Sequence, residues 1–189
     1  MGLLKEIVDP NTGIALTYHK IFGIEGVNET LRISLGSYPV GILNKENTQP
    51  FISQITLSKE NLNTLLKIIC EWVLSLSELE GAVVNENYKN GDYLNAAITK
   101  TSQNSATKVN YNYHRIKEFS CYGAGVFVEV ASYLSEKAFK EGKSPYLSGA
   151  SFDRDEALKY YTYKILLNHE PYIGAEEDYE IDIPESGVL

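Results

Sequence analysis

The sequence predicts an α+β fold made of two tandem β-β-β-α units, with antiparallel sheets each covered by one helix. Three observations predict it. The chain matches itself at a shift of 95 residues, apolar residues alternate with period two in three runs per copy, and each copy closes on a helical apolar stripe. At that shift Thr12–Leu57 lies on Thr107–Phe152 without a gap, and ten of the 46 positions are identical. They include Tyr18/Tyr113, His19/His114, Ile21/Ile116, Ser37/Ser132 and Pro50/Pro145. Ile33/Val128, Leu35/Val130 and Phe51/Tyr146 keep size and polarity. Two residues are then lost, and at a shift of 93 Leu74 meets Leu167 and Gly81-Ala82 meets Gly174-Ala175. The expected division is residues 1–84 as the first unit, 85–106 as a linker, and 107–189 as the second unit with an acidic C-terminal arm.

The elements follow in order. Ile14, Leu16 and Tyr18 alternate with Ala15, Thr17 and His19, and Val109, Tyr111 and Tyr113 alternate with Asn110, Asn112 and His114. Such runs are half-buried strands with one polar face. Turns are expected at Glu25–Asn28 and Cys121–Gly125, and second strands at Leu31, Ile33, Leu35 and at Val126, Val128, Val130. An eleven-residue polar connection follows in each copy, Pro39–Gln49 and Leu134–Ser144. Loops of that length often make contacts. Phe51, Ser53, Ile55 and Leu57 begin a third strand, matched by Tyr146, Ser148, Ala150 and Phe152. Ser58 and Asp153 suit helix N-caps, with an acidic capping box over Asp153–Glu156. Leu62, Leu65, Leu66, Ile69, Val73 and Leu76 then recur at helical spacing, as do Leu158, Tyr161 and Ile165.

Composition narrows the function classes. The 189 residues are 43% hydrophobic and 22% charged, which is the balance of a folded chain. A net charge of -8 argues against a protein that coats nucleic acid, because phosphate is neutralised by Lys and Arg. The opening residues carry no signal-peptide pattern. The longest apolar stretch is broken by Lys67, Glu71 and Glu78, so no membrane span is expected. Cys70 and Cys121 have no CxxC spacing and read as reduced thiols.

No catalytic, cofactor or metal site is expected. His19 and His114 occupy the same place in the two copies, but no Asp, Glu or Cys repeats beside them at ligand spacing. Each reads as a strand residue at a sheet edge, its ring hydrogen-bonded or solvated. Gly123-Ala124-Gly125 lacks the Lys and the helix of a phosphate loop. The 14 tyrosines are boundary residues that suit a protein interface or, less well, a sugar platform.

Thr17-Tyr18-His19-Lys20-Ile21 and Asn112-Tyr113-His114-Arg115-Ile116, then Val128–Ser135, then Tyr172–Asp178, occur in an order that resembles a family of small structural proteins from tailed bacteriophages. The resemblance lies mainly in the second copy. In the first, Gly81-Ala82-Val83-Val84 replaces the acidic ending. The resemblance implies a non-enzymatic virion component of the tail, baseplate or neck, made in the host cytoplasm and assembled with other virion proteins as a homo-oligomer or ring. The expected contact residues are Pro39 and Asn44 in the first loop, Tyr88 and Tyr93 in the linker, Phe139 and Lys143 in the second loop, and Tyr179 and Ile181 in the arm. The alternative is a carbohydrate or host-surface binding module that uses its tyrosines, with a host glycan as partner.

Overall fold

A computed structural model describes residues 1–39 and 49–178. The chain runs through β1 (Leu3–Val8), β2 (Ala15–Val27), β3 (Thr30–Pro39), β4 (Phe51–Leu57) and α1 (Lys59–Leu74). After a 3-10 turn at Ser77–Leu79 come β5 (Val83–Val84), α2 (Glu86–Lys89) and a second 3-10 turn at Tyr93–Asn95. The rest is β6 (Ile98–Gln103), β7 (Asn110–Tyr122), β8 (Val126–Tyr133), α3 (Glu136–Lys140), β9 (Tyr146–Phe152), α4 (Asp155–Leu166) and β10 (Glu176–Glu177). The fold is mixed α/β, dominated by antiparallel sheet.

The pairing registers repeat. Leu3 faces His19 and Val8 faces Ala15 in the β1–β2 pair; Ile98 faces His114 and Gln103 faces Asn110 in the β6–β7 pair. The hairpin loops match as well. Asp9 Oδ1 accepts the amides of Asn11 and Thr12, and Asn104 Oδ1 accepts those of Ala106 and Thr107. Both β2 and β7 carry a bulge one residue after the matched isoleucines, Ile21 and Ile116.

At the bulge β2 changes neighbour. Its first half pairs with β1, and its second half pairs with β7 through Gly23↔Tyr122, Glu25↔Ser120 and Gly26↔Phe119. Glu25 thus faces the residue 95 positions on, and the seam reads alike from either half. It unites ten strands into one sheet. Tyr163 of α4 closes the gap at the bulge: its hydroxyl accepts from the Ile21 amide at 2.8 Å and donates to the Met1 carbonyl at 3.2 Å.

The segments after α1 and α4 cross to the far half. β5 follows α1 but pairs with β6, through Val83↔Thr99 and Val84↔Ile98. β10 follows α4 but pairs with β1, through Glu176↔Leu4 and Glu177↔Leu3. Trp72 of α1 likewise lies 6.0 Å from the Phe152 ring at the end of β9. One core results, in which Ile24, Ile33 and Leu35 join Phe119, Val128 and Leu158, with Leu65, Ile69 and Leu166 from the helices. Each such fully buried side chain contributes about 1.5–3 kcal/mol.

Several expectations are corrected. Each half has a fourth strand at its start, β1 or β6, that the alternation did not signal. Residues 85–106, expected as a linker, hold α2, a 3-10 turn and β6, and the 106/107 boundary cuts the β6–β7 hairpin loop. The β2–β3 turn is Asn28-Glu29, both at positive φ, because strand pairing runs on to Val27↔Thr30. Ser58 holds the N-cap position of α1 and Arg154, not Asp153, that of α4, and neither makes a capping side-chain hydrogen bond. The sheets are joined rather than separate.

Candidate functional site

The most buried polar side chains in the sheet are the two matched histidines, 1% exposed at His19 and 3% at His114. They lie on β2 and β7, each strand flanked on both sides, so the expected place at a sheet edge is corrected. His19 Nδ1 is 2.8 Å from Ser37 Oγ and Nε2 is 2.9 Å from the Lys5 carbonyl oxygen. The matched distances are 2.8 Å from His114 Nδ1 to Ser132 Oγ and 2.7 Å from Nε2 to the Lys100 carbonyl. A carbonyl only accepts, so Nε2 carries the proton and Nδ1 accepts from the serine hydroxyl. Both ring nitrogens are used, and the rings tie three strands together. Burial lowers both histidine pKa values, with the hydrogen bond to the carbonyl acting the other way.

A serine beside a histidine invites comparison with a nucleophilic dyad. In that chemistry Nε2 meets the serine and a carboxylate holds Nδ1–H. Here the nitrogens are reversed, and an uncharged backbone carbonyl stands in place of the carboxylate. In the first half the dyad is also sealed. The Tyr172 ring packs edge-on against His19 at 5.1 Å, and burial pushes its hydroxyl pKa up to about 12 despite a hydrogen bond with Ser37.

The second half is open at the matching place. Leu79 stands where Tyr172 stands, in the same local geometry: Leu79 N donates to Leu76 O and Tyr172 N to His169 O, and Gly81 and Gly174 follow at positive φ. Beside the shorter side chain is a cleft of about 570 Å³. Its floor includes Leu79, His114, Val130 and Ser132. Its walls carry Tyr111 and Tyr146, whose rings stack at 5.3 Å and 23°. Ser102, Gln103, Asn104 and Ser148 add hydroxyls and amides.

A smaller cavity of about 250 Å³ lies across the seam, between the Asn28-Glu29 turn and Phe139. Arg115 dominates it. Its Nη2 donates to the Leu94 carbonyl at 2.6 Å, its guanidinium lies 4.7 Å over the Phe139 ring, and its buried Nε has no hydrogen-bond partner.

The expected contact residues fall in different neighbourhoods. Tyr88 and Tyr93 pack on each other edge-to-face at 5.2 Å and are half-buried. Phe139 is spent inside the molecule, on Tyr113 at 5.4 Å, Tyr133 at 5.2 Å and Arg115. Pro39 ends β3, and Lys143 is exposed just after α3. Asn44, Tyr179 and Ile181 lie outside the described residues. Among the described residues no three His, Cys, Asp or Glu side chains gather as a metal site, and no helix is long and apolar enough to cross a membrane.

Sequence reasoning missed the His–Ser pairs, although both residues are identical in the two copies at a constant spacing of 18. It missed the cleft because the cleft arises from a difference, Leu79 against Tyr172, rather than from a motif. No family profile, curated protein or solved structure matches the chain.

Proposed function

We propose that the chain is a non-enzymatic structural component of a phage virion, of the tail or baseplate, which docks other virion proteins or attaches fibres. We further infer that it arose as two tandem copies of one β-β-β-α unit, each extended at its start by one strand. The repeated registers and hairpin loops support the duplication. The reversed and partly sealed His–Ser pairs support a structural rather than catalytic use of the matched residues.

One observation carries the docking reading. Among the described residues four strands have one neighbour only, and the two long ones, β4 beside β3 and β9 beside β8, expose large apolar side chains. Ile52 is 64% exposed on β4, and Tyr146 and Leu147 are each 41% exposed on β9. Unpaired strand edges with apolar side chains are templates for adding a further chain. The sheet face between them also exposes Phe22, Tyr122 and Phe127, with Phe22 set over Gly36, Tyr122 over Gly23 and Phe127 over Gly149. An apolar surface of this kind suits a protein partner. A homo-oligomer or ring would use the two similar edges in turn.

Mass spectrometry of gradient-purified particles from the source phage tests the proposal. The chain is expected among the particle proteins at a fixed ratio to the tail components. Its absence from intact particles, together with a monomeric purified protein, overturns the reading.

A further inference from the structure

We infer that the cleft beside His114 is a binding site for a neutral saccharide. This goes beyond the docking proposal and does not depend on it. The two halves supply an internal comparison, because the same scaffold is closed in one and open in the other.

In the first half the covering position is filled and several matched wall positions are apolar. Tyr172 covers His19, and Ile7, Leu16 and Phe51 stand where the second half has Ser102, Tyr111 and Tyr146. The second half has Leu79 in place of the covering tyrosine and carries polar groups at Ser102, Gln103, Tyr111 and Tyr146 where the first is apolar, while Asn104, Ser132 and Ser148 keep the polarity of Asp9, Ser37 and Ser53. A position that merely lost a covering side chain would keep its apolar walls. Here Ser102 and Tyr111 face each other across the β6–β7 pair, where Ile7 and Leu16 do so across β1–β2. A cleft of about 570 Å³ is within the size range of small-molecule sites.

The lining selects the ligand class. Uncharged donors and acceptors dominate: the hydroxyls of Ser102, Ser132 and Ser148 and the amides of Gln103 and Asn104. Among the described residues no Lys or Arg lines the cleft and Glu78 is its one carboxylate, so an anionic ligand would meet no counter-charge from them. Ser132 Oγ donates its proton to His114, so toward a ligand it can act only as an acceptor. The stacked Tyr111 and Tyr146 rings offer flat apolar surface beside these groups. A sugar ring presents this combination, with hydroxyls at its rim and C–H groups on its face.

The test is a titration of the full chain with neutral sugars (glucose, galactose, N-acetylglucosamine and their disaccharides), with sialyllactose as the anionic comparison. Side-chain NMR signals of Tyr111, Tyr146 and His114 report the site. Saturable shifts with at least one neutral sugar are expected, at millimolar or tighter affinity, with weaker response to sialyllactose. Leu79→Tyr should fill the cleft as Tyr172 does and weaken binding at least about tenfold. Tyr146→Ala, at an exposed edge-strand position, should weaken it as well, so the outcome does not rest on one variant. No shift at these residues with any neutral sugar overturns the inference, as does equal binding by both variants or preference for the sialylated ligand.

Discussion

His19 and His114 each lie on the central strand of three with both ring nitrogens bonded, and that placement sets a pH dependence. Their pKa values are lowered in the fold, chiefly by burial. The folded chain therefore binds fewer protons than the unfolded one below the unfolded value of about 6.5. Stability is full above that value and falls as the pH drops through it and beyond. Each histidine adds up to about 1.4 kcal/mol of loss per pH unit. Urea unfolding at pH 8 and at pH 5.5 should show this loss. His19→Gln and His114→Gln should each remove part of the pH slope while lowering stability at pH 8 by about 1–3 kcal/mol, since each breaks two buried hydrogen bonds. An unchanged slope in both variants would contradict the assignment. The pairing was latent in the sequence, because His and Ser are identical at matched positions in both copies. What sequence could not supply was burial. A polar pair on a strand reads as surface until a further strand, β1 or β6, is placed beside it.

Strands and helices differ in how far their residues announce them. β2, β3, β7 and β8 follow from alternating apolar residues that became core, among them Leu31, Ile33 and Leu35. β6 was hidden for a physical reason. Ile-Thr-Lys-Thr-Ser-Gln has a single apolar residue, Ile98, and β6 holds its place by pairing and by the Asn104 loop rather than by an apolar face. Lys5/Lys100 and Asp9/Asn104 were the available signals, each matched at the same shift of 95. The crossing of β5 and β10 was not legible either, since a helical stripe shows that it is buried and not against which sheet. The seam itself tests the strand assignment. The buried Phe119 ring lies where a side chain on Gly26 would sit, and at 2% exposure it has nowhere to move. Gly26→Ala should therefore destabilise by about 1–3 kcal/mol, read from denaturant midpoints. A neutral or stabilising result would mean that β2 and β7 do not meet in this register.

At the scale of the molecule the two halves are one body. The long helices α1 and α4 are each followed by a strand that completes the other half, the bulged strands β2 and β7 pair across the seam, and a common core runs through both. This interlocking gives the proposed docking protein a rigid frame with two similar edges. It also lets the halves diverge locally, as at Leu79 and Tyr172, while the fold is held in common. The pairings β5–β6, β10–β1 and β2–β7 run across the division expected from sequence. Differential scanning calorimetry of the intact chain tests the interlocked frame most directly. A single transition is predicted, with calorimetric and van't Hoff enthalpies in agreement. Two separable transitions, one for each half, would contradict it.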